Sequence, residues 1–221
     1  MKLSSIELSR VLGFIDLNDL TPRGTVALTR IVPGLVEKMR FTAFPTSLDQ
    51  FDETKGVEFK DGLWDGIPIQ KMTVYNNGIM MDTRNGTDSS LRIINELLAW
   101  SAHEFALTVP TGGVQKFRFL NQFTFISDIL PKFGGLPVRR LAENVSRSLQ
   151  GITGKSRHYE VIRIDCDFDR FEEKAPIAPF TIQRRVTASF EEGKFYSEAP
   201  LPTDVHWAVL EQFEADILAN T

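Results

Sequence analysis

The sequence predicts an α+β fold, an antiparallel or mixed sheet with helices packed mainly on one face. One domain, 1-221, is expected, with residues 150-156 as the place where a subdivision would fall. Three observations point there. Several stretches alternate apolar and polar residues at period two, as strands with one buried face do. Others repeat apolar residues every three or four positions, as helices packed on one side do. Hairpin signals are mixed among the helices instead of alternating strictly with them, which disfavours a doubly wound parallel sheet.

Composition sets the frame. The chain has 221 residues, 25 Lys+Arg against 29 Asp+Glu and a net charge of −4. An acidic balance disfavours broad binding to nucleic acid, which depends on neutralising phosphates. A single cysteine excludes an intramolecular disulfide and any site built from a Cys pair. Glu7, Arg10 and Asp16 interrupt the apolar residues of the first segment, so no secretory signal is expected there. No stretch has the length of uncharged apolar sequence that a membrane span needs. A reduced, cytoplasmic setting with no membrane partner is the expectation.

Arg10–Leu17 predicts a short strand, with Leu12 and Phe14 on one face and Val11 and Ile15 on the other. Thr21-Pro22 has the form of a helix start. The apolar series from Val26 to Met39 would form two short helices, because Pro33-Gly34 should break one continuous helix. Thr46–Gly56 predicts a polar loop or a single helical turn. Ile69–Tyr75 and Ile79–Arg84 flank Asn77-Gly78, the dipeptide best suited to the positive φ of a type I′ turn. With Asn77-Gly78 as a two-residue loop, Val74 would face Met81 and Tyr75 would face Met80.

The cluster Thr87-Asp88-Ser89-Ser90 supplies capping side chains for a helix over Leu91–Leu107. Phe117, Phe119, Phe123 and Phe125 share a face of a strand over Gln115–Ser127. Pro137 opens a helix whose apolar stripe is Leu141, Val145 and Leu149. Tyr159–Asp169 alternates as a strand, with Ile162, Ile164, Cys166 and Phe168 inward and Arg163, Asp165, Asp167 and Asp169 outward. Phe180–Glu191 predicts another strand, turning at Glu192-Gly193 into a hairpin. Thr203 or Asp204 caps a last helix with His206, Val209, Leu210, Phe213 and Ile217 as its inner stripe.

Few residues suggest chemistry. The three histidines are scattered, and no spacing matches a zincin, a P-loop or a nucleophile elbow. His206 lies on an apolar stripe, where a hydrogen-bonded packing role is expected. Arg184 interrupts an apolar face and needs a carboxylate or several carbonyls if buried, in an internal ion pair or a subunit contact.

The leading expectation is a non-enzymatic protein–protein interaction, assembly or regulatory subunit that forms a homo-oligomer, with no cofactor. Its partner would be itself or another protein, and Trp100, Phe105 and Arg184 are its candidate interface residues. The alternative is a phosphoesterase or nucleotide-processing enzyme dependent on Mg or Mn. In it Asp165, Asp167 and Asp169 would ligate the ion and Arg163 would bind phosphate. A third expectation is a small-ligand sensor with a pocket between the sheet and a helix.

Overall fold

The computed structural model describes residues 1–21, 27–109, 114, 116–130, 135–167 and 177–220. Its strands are β1 (Lys2–Phe14), β2 (Val57–Trp64), β3 (Ile67–Tyr75), β4 (Gly78–Thr83), β5 (Lys116–Ile126), β6 (Arg163–Cys166), β7 (Phe180–Arg184) and β8 (Lys194–Ala199). The helices are α1 (Leu17–Leu20), α2 (Leu28–Met39), α3 (Thr87–Phe105), α4 (Gly135–Thr153) and α5 (Thr203–Ala219). The strands form one eight-stranded antiparallel sheet in the order β2-β3-β4-β1-β5-β8-β7-β6, so the chain is of the α+β class. It divides into two compact units. The first takes Met1–Ser5, Gln122–Ala199 and Asp204–Thr221, and the second takes Ile6–Asn121 and Pro200–Thr203. Residues 150–153 belong to the last turn of α4.

The second unit is built on two successive hairpins. Strand β2 is absent from the elements expected by periodicity. Lys60-Asp61 sets two polar residues in succession and Asp61 takes φ +53°, which breaks the alternation begun by Val57 and Phe59. Trp64 pairs with Ile67 across Asp65-Gly66, whose φ values of +46° and +79° match a type I′ turn. The type I′ geometry expected at Asn77-Gly78 therefore sits one hairpin earlier. In the β3–β4 hairpin Tyr75 pairs with Gly78 and Val74 with Ile79, so the loop is Asn76-Asn77. Neither asparagine takes positive φ. Hydrogen bonds from outside the hairpin hold this turn instead. Leu17 N–H donates to Asn76 O at 2.9 Å, Ile15 N–H donates to Asn77 O at 3.2 Å, and Asn76 N–H donates to Glu53 O at 3.0 Å. The partners move by two residues, so the faces survive: Met72, Val74, Ile79 and Met81 are all buried.

Helix α2 runs unbroken through Pro33, where two short helices were expected. Ile31, Val32, Leu35 and Met39 bury one face of it. That packing outweighs the hydrogen bond lost at the proline, which itself lies on the exposed side. Phe105 needs the glycine next to it: a Cβ on Gly34 would lie 2.7 Å from its ring. Helix α3 begins at Thr87, four residues before the expected start. Thr87 N–H donates to Thr203 Oγ1 at 2.8 Å, and Thr203 N–H donates back to Thr87 Oγ1 at 2.9 Å. Beneath them Ser90 Oγ donates to Ser9 O at 3.1 Å and lies 2.9 Å from Thr83 Oγ1, while the Asn121 amide donates to Thr203 Oγ1. The hydroxyls of Thr87, Ser90 and Thr203 are satisfied within this cluster, whereas the buried Asn121 Oδ1 has no hydrogen-bond partner among the described residues.

In the first unit Phe123 and Phe125 of β5 are fully buried, as their alternation predicts. Phe123 stacks on His206 with centroids 4.5 Å apart, and Phe125 stacks on Phe195 at 5.8 Å. His206, Leu210 and Ile217 form the buried side of α5, but Val209, expected on that stripe, is exposed. Leu141, expected on the inner stripe of α4, is 62% exposed. The strand expected over Phe180–Glu191 ends at Arg184. A 3-10 turn at Phe190–Glu192 then leads into β8, leaving Val186 98% exposed. The strand expected over Tyr159–Asp169 shrinks to the four residues of β6. Its supposed inner face is open: Ile162 is 56% exposed, and Cys166, expected to be buried, is exposed. Period two marks a strand's faces, but a strand with no layer over it buries neither.

Candidate functional site

Strand β6 ends the order of the sheet and, among the described residues, pairs with β7 alone, Ile164 opposite Ile182 and Asp165 opposite Thr181. The Arg184 N–H donates to Ile162 O at 2.8 Å, which identifies Ile162 as a residue whose backbone groups turn toward β7. Backbone direction alternates along a strand, so Ile164 and Cys166 also turn toward β7, while Arg163 and Asp165 turn their N–H and C=O outward. An unpaired row of this kind is a template for another strand.

The side chains of the two outward residues share one face and carry opposite charge. Arg163 Nε donates to Asp165 Oδ2 at 2.6 Å, and the Thr181 hydroxyl donates to Asp165 Oδ1 at 2.7 Å. The Arg163 guanidinium, followed by the Thr181 hydroxyl, holds the Asp165 carboxyl below the usual carboxylate range. The opposite face carries Ile162, Ile164 and Cys166. Val161, just before β6, is also exposed, at 41%.

The other residues singled out in the sequence are placed as follows. Asp167 follows β6 directly and is exposed, and Asp169 lies outside the described residues. Among the described residues no group of three His, Cys, Asp or Glu side chains is placed to hold a metal ion. Trp100 and Phe105 are half-buried and pack edge to face at 5.4 Å within the second unit. Arg184 is 8% exposed and makes an ion pair with Glu160. It also donates to Phe190 O at 3.0 Å and lies over the rings of Phe190 and Phe195. Glu160 in turn meets His158 Nε2 at 3.0 Å.

His206 Nε2 lies 2.8 Å from Ser197 Oγ, the spacing of a nucleophile and its base. The direction of the bond argues otherwise. Ser197 Oγ donates its hydrogen to Thr181 O at 2.8 Å, so it accepts from His206 Nε2–H. Both side chains are fully buried, and burial pushes the imidazole down to about 4. The pair is a neutral packing contact.

The outward pair Arg163/Asp165 was legible as charge on a strand. What sequence reasoning missed is Thr181, the cross-strand partner of Asp165, and the exposure of Ile162. Asp165, Asp167 and Asp169 read first as a solvated face and only second as a ligand row, and strand order alone reveals an edge. Comparison with known proteins finds no matching family model and no matching curated protein.

Proposed function

We propose that the chain is a non-enzymatic interaction subunit that self-associates, with a second copy docked antiparallel on β6. The observation that carries this reading is the order Arg163-Ile164-Asp165 on an edge that has no second partner strand among the described residues. A twofold axis through Ile164 sets Arg163 opposite Asp165 of the second copy and Asp165 opposite its Arg163. The outward backbone groups of both residues then form the hydrogen-bonded pairs, and the two intrachain ion pairs are exchanged for two across the axis. Ile164 meets its own copy on the other face, flanked by Ile162 opposite Cys166. The surface is self-complementary, as an isologous contact requires.

The metal-dependent reading has weaker support. Asp165 already directs one oxygen to Arg163 and the other to Thr181, so the group meant to bind phosphate neutralises the group meant to bind the ion.

Sedimentation of a charge-swap series tests the proposal. The wild type is expected to dimerise as its concentration rises and to dissociate on dilution. Arg163→Asp and Asp165→Arg each set like charges opposite one another twice, and each should weaken association about tenfold. The double swap should restore it. A monomer at every concentration, or single variants that associate like the wild type, would overturn the reading.

A further inference from the structure

A cavity of about 300 Å³ opens in the second unit between α2, α3 and the β3–β4 hairpin. Leu28 and Leu35 of α2, Met72 and Val74 of β3, Leu98 of α3 and Phe51 form much of its wall. Two polar groups in that wall stand out. Ser101 of α3 is 5% exposed, lines the cavity and has no hydrogen-bond partner among the described residues. Glu53, half-buried at the same cavity, is the one charged side chain among the described lining residues, and it makes no ion pair among them.

An apolar wall with a small number of convergent polar groups is the usual form of a small-molecule site, and the volume is at the lower end of the range for one. Ser101 lines this open space and its hydroxyl makes no hydrogen bond to a described residue, so it is available to a ligand's polar atom. At roughly 30 Å³ for a water-sized group, the cavity has room for about ten heavy atoms. Among the described lining residues Glu53 carries the one charge, and it sets the sign of the ligand. A lipophilic anion would be repelled by Glu53, whereas an ammonium group would pair with it while its chain covers the leucines.

We propose that this cavity binds a small lipophilic amine, with its chain among the leucines of α2 and α3, its ammonium group on Glu53 and Ser101 beside it. The site is independent of the β6 edge, and its occupancy does not require a dimer.

Isothermal titration with octylamine, 1-octanol and octanoate, together with thermal melting, tests the proposal. Octylamine should bind saturably at one site and raise the midpoint. Octanol should bind about tenfold more weakly, and octanoate should not bind. Glu53→Gln should bring octylamine down to the level of octanol while leaving octanol unchanged. Ser101→Leu, which fills the cavity, should abolish binding of both. Thr29→Trp, at an exposed lining position, gives the same readout should the serine variant fail to fold. Failure of octylamine to bind, a preference for octanoate, or a filled variant that binds like the wild type would each overturn it.

Discussion

His206 shows how burial alone tunes a side chain. Its ring is stacked on Phe123 and set edge-on to Phe180 at 5.7 Å, and no carboxylate reaches it among the described residues. Desolvation disfavours the charged imidazolium, so the folded-state value falls to about 4 from the ordinary 6.5. The sign of the linkage follows. Above about pH 6.5 the ring is neutral folded or unfolded, and its contribution to stability is complete. Between about 6.5 and 4 the unfolded chain takes up a proton that the native state refuses. Stability is therefore lost as pH falls through that window, by roughly 3 kcal/mol in all. Urea midpoints measured from pH 7.5 to 4 should show this slope in the wild type and lose it in His206→Gln. An equal slope in both would refute the assignment. At this scale the sequence was informative where a polar residue broke an apolar pattern. His206 on its stripe and Arg184 on its strand were both expected to need partners, and both have them. It was uninformative for Cys166, because alternation says which face a residue takes and not whether anything covers that face.

Among the elements, α2 shows packing overriding local preference. Pro33 lies at the sixth position of the helix, past the first turn where proline is tolerated, and it leaves the Thr29 carbonyl without its i+4 donor. Pro33→Ala restores that donor without removing buried contacts, since Pro33 is exposed. Part of the gain is offset because alanine leaves the unfolded chain more freedom. A net stabilisation of about 1–2 kcal/mol is expected in chemical denaturation. An unchanged or lower midpoint would mean that the proline contributes something to the helix that its contacts do not reveal. The hairpins teach a related lesson. Asn77-Gly78 was the strongest local turn signal, yet the turn is Asn76-Asn77, because three backbone hydrogen bonds from Ile15, Leu17 and to Glu53 decide the geometry. Asp65-Gly66 carried an equivalent signal and was overlooked, since Lys60-Asp61 hid the strand before it. The long helix and the Phe-rich strand were legible because their periodicity runs for many residues; β6 was overextended because alternation continues past the point where pairing stops.

For the whole molecule, the α+β class was legible because strand and helix periods alternate along the chain without a βαβ rhythm. Strand order was not. Nothing in a single sequence says that β6 ends the sheet or that β5 lies between β1 and β8, since those pairings join segments far apart in the chain. That order gives Arg163 and Asp165 their significance. Self-association through β6 is the central claim, and its register can be read directly. In the twofold pairing Ile162 lies opposite Cys166 of the second copy as a non-hydrogen-bonded pair, where the side chains approach most closely and a disulfide can form. The two native Cys166 residues would be offset by about 13 Å along the strands, too far to bridge. Within one chain, residues 162 and 166 are separated by the same distance along β6. Mild oxidation of Ile162→Cys, followed by non-reducing electrophoresis and mapping of the linked peptides, should give a covalent dimer joined through 162 and 166, with the wild type remaining uncrosslinked. A variant that stays uncrosslinked, or a wild type that links through Cys166 alone, would contradict this pairing.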